Sequence, residues 1–177
     1  MPLFSFEGRA PRVAEDAFVA PTATLIGDVT VESGASIWYG AVLRADYSPI
    51  IVRAGANVQD GAVLHGPPGN ATDIGARATV AHLCVIHGAT LEEEALVANG
   101  CTVLDGAHIG AGALVAAHSL VASGATIPPG FLAAGVPAQV KRPVAGSPAE
   151  MWVLMNPPAY ADLARRHKAG VTPIWDQ

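Results

Sequence analysis

Aliphatic residues recur in this chain at every sixth position, a period that suits neither an amphipathic helix nor a simple alternating hairpin. Val19, Leu25, Val31, Ile37 and Leu43 form the first series. Three extra residues around Ser48-Pro49-Ile50 interrupt it before Val52, Val58 and Leu64 resume. Four more within Gly66–Asp73 precede Ile74, Val80 and Ile86. One hexad is a residue short, and Leu91, Val97, Val103, Ile109, Val115, Val121 and Ile127 complete the run. All eighteen anchors are Val, Ile or Leu. Four places after most of them stands a small residue, such as Ala23, Ala41, Ala62, Ala78, Cys84, Cys101 or Ala113.

A period of six fits a β-solenoid whose short strands form the three faces of a triangular prism. Each hexad is one face and three hexads one coil, with the anchor and the small residue pointing inward. Narrow corners demand small side chains, which accounts for much of the 34 Ala, and turns between faces account for many of the 19 Gly. Ser147-Pro148-Ala149-Glu150 reads as a capping box with proline at the first helical position. Asn156-Pro157 is expected to restart a helix running to His167, closed by Gly170. The expected organisation is all-β, with a solenoid and its lead-in over 1–140 and a helical tail over 141–177.

Composition removes several function classes. A net charge of −5 without a run of basic residues argues against nucleic acid. No apolar stretch reaches the roughly 20 residues of a membrane span. Met1–Glu7 has neither a basic nor an apolar leader region, and Cys84 and Cys101 make no disulfide framework. The expected location is the cytoplasm.

The hexad grid gives each polar residue a face and a height. His65 and His87 follow inward anchors three hexads apart, so they stand outward on one face, one coil of about 4.8 Å apart. Arg44 stacks in the same column. Asp60, His82 and Asn99 stack in a column on a different face, with Gln59 preceding Asp60. Two imidazoles one coil apart can share one ion, but His82 cannot easily reach it around a prism corner of the same chain. A second copy could bring it there, and closed three-fold symmetry then makes three equivalent interfacial sites. His108, His118 and His167 read as surface or hydrogen-bonded residues, Cys84 and Cys101 as small core residues. Glu92-Glu93-Glu94 reads as a solvated edge, with proton transfer the rival reading.

Taken in order, Arg44-Ala45-Asp46, Asn57-Val58-Gln59-Asp60-Gly61, Val63-Leu64-His65, Val80-Ala81-His82 and Ile86-His87-Gly88 resemble the gamma-class carbonic anhydrases of the hexapeptide-repeat superfamily. The repeat that carries the superfamily resemblance covers residues 12–140, and it implies a left-handed parallel β-helix, whereas crossover rules alone favour the opposite hand. The gamma-class resemblance implies a homotrimer binding Zn²⁺, with Fe²⁺ or Co²⁺ as alternatives, through His65 and His87 of one subunit and His82 of the next. Arg44 and Asp46 would form intersubunit salt bridges. Gln59 would hold the hydroxide, Asp60 and Arg44 would hold charge around it, and Tyr160 would lie near the site. The implied reaction is reversible hydration of carbon dioxide to bicarbonate by a metal-bound hydroxide.

This chain departs from the family in its short insertion Gly66–Asp73, which contains no Glu, and in Tyr47, Ala81 and Leu91-Glu92. The expectation is therefore a metal-binding protein with slow turnover. Two rivals share the fold: an acyl-CoA thioesterase or acyltransferase, and a noncatalytic metal-stabilised trimer that binds or assembles. Asn99 is expected to face the same cleft as His82 and to meet bicarbonate or bound water through its amide.

Overall fold

The computed structural model describes residues 2–174. Met1 and residues 175–177, the outer ends of the two expected regions, lie outside the described residues. The chain winds into a left-handed β-solenoid of about seven coils, followed by one helix. Every third anchor pairs in parallel register. Leu25, Leu43, Leu64, Ile86, Val103 and Val121 form one column. Val31, Val52, Ile74, Leu91, Ile109 and Ile127 form the second. Val19, Ile37, Val58, Val80, Val97 and Val115 form the third, which Ala133 extends. All eighteen anchors are buried, and so are the small corner residues from Ala23 to Ser119 named by the six-residue spacing.

The inserted residues are absorbed without breaking the stack. Ser48-Pro49-Ile50 lies within one long strand, Val42–Val52, which turns a corner and buries Ile50 opposite Val29. The second insertion forms the loop between Val63–His65 and Thr72–Ile74. Cys84 and Cys101 are free and buried, and their thiols donate to the carbonyls of Ala98 and Ala116 at 3.1 and 3.0 Å. A hydrogen bond to Cys101, together with burial, pushes the Cys84 thiol upward, so it stays protonated. Both therefore act as small core residues.

The last strands, Phe131–Gly135 and Ala138–Pro143, close the third face as an antiparallel pair. Helix α1 then runs unbroken from Pro148 to Gly170. No fresh helix starts at Asn156-Pro157; Pro157 and Pro158 lie inside α1. Val153, Pro157 and Ala164 share the face buried against the solenoid, and that packing carries the helix through its two missing N–H donors. Gly170 is its last residue rather than a terminator beyond it, and the Val171 N–H caps the His167 carbonyl. Ser147 caps the first turn by accepting from the Ala149 N–H at 3.2 Å. Glu150 reaches the Gly146 N–H at 2.9 Å instead of the Ser147 N–H that a capping box requires, because that donor already bonds Val144.

Two clusters seat α1 on the third face. His167 enters an aromatic group with Phe18, Trp38 and Tyr39 and bonds the Tyr39 hydroxyl at 2.9 Å. Val153 packs with Leu96, Leu114 and Val144 near the other end. Among the described residues, no helix is long and apolar enough to cross a membrane.

Candidate metal centre

The parallel ladder sets Arg44 beside His65, and His65 beside His87, as column and height require. The two imidazoles face each other, with His65 Nδ1 3.0 Å from His87 Nε2. Two nitrogens on one tetrahedral zinc, each at roughly 2.05 Å, lie about 3.3 Å apart. The observed pair is thus close to one edge of such a tetrahedron.

The outer nitrogens decide what the inner ones can do. His65 Nε2 lies 2.9 Å from Asp46 Oδ1, and His87 Nδ1 bonds Asp105 Oδ1. Burial opposes the ionisation of Asp46, yet hydrogen bonds from His65 and Arg44 outweigh it and hold its carboxyl below the usual range. A carboxylate only accepts, so with both rings neutral each carboxylate favours the ring proton on the outer nitrogen. In that arrangement the two inner nitrogens present lone pairs toward one point, and a cation between them would relieve their repulsion. That chemistry fits a metal ion.

The other column lies along the edge of the helix-covered face. Backbone bonds from Leu83 to Asp60, from Gly100 to His82 and from His118 to Asn99 stack the corner residues. His82 Nδ1 is 3.1 Å from Asp60 Oδ2, and His82 Nε2 is 3.2 Å from the Tyr160 hydroxyl on α1. Burial, helped by the Asp60 charge, raises the Tyr160 phenol, which therefore remains a donor. All three histidines keep one nitrogen against a carboxylate; the second nitrogens of His65 and His87 face each other, and that of His82 meets the Tyr160 hydroxyl.

Gln59 is buried and donates to Asn57 Oδ1 at 2.9 Å and to Asn156 Oδ1 at 3.4 Å. With His82, Asn99, Tyr160 and Trp152 it lines a cleft of about 560 Å³ between the solenoid and α1. Ala81, Ala98 and Ala116 form the floor of this cleft. Arg44 pairs with Asp46 of its own chain. His82 does not join His65 and His87: among the described residues, no group of three or more His, Cys, Asp or Glu side chains of one chain is placed to hold a metal. His108 bonds Glu92 at 2.8 Å, while Glu93 and Glu94 pair with Arg77.

Asp105, Thr72 and Asn156 escaped the sequence reading. Asp105 was within reach of the grid, which sets it one coil beyond Gly88 and so beside His87. Thr72 lies in an insertion where the grid has no register.

Comparison with known proteins supplies the remaining context. No family model matches the chain. It is 38% identical over 167 residues to gamma carbonic anhydrase 1, mitochondrial, of Arabidopsis thaliana, covering 91% of this chain but 60% of the plant protein. The chain therefore spans under two thirds of the length of that relative. A carbonic anhydrase of Geobacillus kaustophilus is 42% identical over 140 residues, covering 79% of this chain and 77% of the relative. The carnitine operon protein CaiE of Escherichia coli K12 is 40% identical over 166 residues, covering 94% and 84%. Among solved structures, a Bacillus cereus protein provisionally assigned as an acetyltransferase superposes with a TM-score of 0.92 at 35% identity, covering 94% of this chain and 96% of its own.

Proposed function

The chain belongs to the gamma-class carbonic anhydrase family of hexapeptide-repeat proteins, and from that premise we propose that it hydrates carbon dioxide reversibly to bicarbonate at zinc sites shared between the subunits of a homotrimer. The observation that carries this reading is the shared design of three imidazoles, each backed by its own carboxylate, two of which face each other with their inner nitrogens 3.0 Å apart. His65 and His87 of one subunit and His82 of the next would hold the ion. Zinc bound by three neutral imidazoles keeps its full charge and supplies hydroxide from water near neutral pH.

The protein's own groups do the rest. Asp46 and Asp60, each against one nitrogen of its histidine, favour the ring proton on that side. Tyr160 caps the His82 nitrogen within one chain and must swing aside when a neighbouring subunit brings its pair. Asn99 and the Gln59 amide border the cleft at that position, where an amide can donate to a bicarbonate oxygen and accept from water. Arg44 supplies positive charge next to the histidine pair. Val63 and Val85, exposed beside it, add the apolar surface a trimer contact needs. The two free thiols suit a reducing compartment, in our reading the cytoplasm.

The test is metal analysis of the purified protein together with carbon dioxide hydration before and after chelation. About one zinc per subunit and chelator-sensitive hydration are expected; a metal-free trimer that hydrates no carbon dioxide overturns the reading. A second reading, acyl transfer or thioester hydrolysis, draws on the Bacillus cereus neighbour and on the apolar cleft beside the His82–Asp60 pair. Chelator-resistant turnover of an acyl-thioester would favour it. A zinc-loaded trimer inactive in both assays would leave the noncatalytic binding role.

A further inference from the structure

We propose that Asp105 is a positioning residue for His87: its carboxylate holds the ring proton on Nδ1 and so keeps Nε2 bare toward the ligand position shared with His65. The inference rests on the metal reading above and names a residue that the family resemblance did not supply.

The backbone around His87 leaves little else to adjust. The Gly88 N–H donates to the His65 carbonyl at 3.0 Å and to Thr72 Oγ1 at 3.0 Å. The Thr72 hydroxyl, fully buried, donates in turn to the His65 carbonyl at 2.6 Å. Asp105 is pinned too, because Gly106 N–H bonds the Gly88 carbonyl at 2.7 Å and Gly124 N–H bonds the Asp105 carbonyl at 2.9 Å. The height and main chain of the histidine are thus set, and the orientation of its ring and the position of the ring proton are what remain.

A neutral imidazole in water favours the proton on Nε2. In His87 that proton would point into His65 Nδ1, 3.0 Å away, and occupy the space meant for the ion. Asp105 removes the problem by offering an acceptor on the opposite side of the ring. Its side chain is 45% exposed, and its bond to His87 is its only side-chain hydrogen bond among the described residues. A half-exposed carboxylate contributes little to the core, so its value lies in the ring it orients.

Imidazole two-bond proton–nitrogen correlation spectra of ¹⁵N-labelled, chelator-treated protein at mildly alkaline pH read the tautomer directly. Wild type and Asp105→Asn, whose amide oxygen still accepts, are expected to show His87 protonated on Nδ1. Asp105→Ala is expected to show it on Nε2. Competition with a chelator should show zinc binding weakened about 10- to 100-fold in Asp105→Ala, and less in Asp105→Asn. Retention of the Nδ1 proton by Asp105→Ala, or zinc affinity within about twofold of wild type, overturns the proposal. If wild type binds no zinc, the metal reading fails, and the tautomer comparison alone still decides the role of Asp105.

Discussion

Replacing Gly88 with alanine tests how tightly the histidine pair is built into the coil. Gly88 has φ = +57°, and an added Cβ would lie 2.8 Å from Pro67 Cγ, 2.9 Å from Asn70 Cβ and 3.0 Å from Asp105 Oδ1. The left-handed backbone costs a non-glycine residue about 1 kcal/mol. Relieving carbon contacts under 3 Å against the buried Pro67 adds an overpacking cost of about 1–3 kcal/mol. Gly112→Ala isolates the first contribution, because Gly112 has φ = +62° with nothing within 4 Å of the added atom. Urea unfolding should therefore place Gly88→Ala about 2–4 kcal/mol below wild type and Gly112→Ala about 1 kcal/mol below. Because the clash also displaces Asp105, zinc affinity should fall in Gly88→Ala and hold in Gly112→Ala. Equal stability loss in both variants, within about 0.5 kcal/mol, would refute the packing argument.

Leu64, fully buried between Leu43 and Ile86, should lose about 2–5 kcal/mol on truncation to alanine in the same assay, while Leu83→Ala, 70% exposed, should stay within about 0.5 kcal/mol. Asp46 ionises below the ordinary carboxyl range in the folded state, so its stabilisation is complete above the unfolded value and is lost as pH falls through the lowered one. Thermal melts below about pH 4 should accordingly fall more steeply in wild type than in Asp46→Asn. Asn99→Ala should keep zinc and trimer yet weaken bicarbonate binding or turnover; if both are unchanged, Asn99 is only a surface residue.

Much of this architecture is legible in the hexad grid, because a solenoid converts sequence spacing directly into face and height. Register Leu64↔Ile86 follows from counting three hexads, and with it the meeting of His65 and His87. The same count stacks Asp60, His82 and Asn99 and separates His82 from the pair. Side-chain partners beyond the grid are another matter. Thr72 reaches His65 and Gly88 from an insertion whose path depends on how Pro67 and Pro68 pack. The unbroken helix across Pro157-Pro158 depends on tertiary burial of Val153 and Ala164, which overrides the local preference to end at a proline. The place of Tyr160 beside His82, in turn, follows from the seating of that helix by His167 among Phe18, Trp38 and Tyr39.

The shared site is tested most directly by complementation between two variants that each lack one part of it. His82→Ala retains the His65–His87 pair, and His87→Ala retains His82, so trimers of either alone should bind almost no zinc. In a mixed ring of three, one interface in three joins an intact pair to an intact His82. Co-expressed and purified mixed trimers should therefore recover about one zinc ion per three chains, with proportionate hydration activity. Full zinc in either variant alone, or none in the mixed trimers, contradicts a centre shared between subunits.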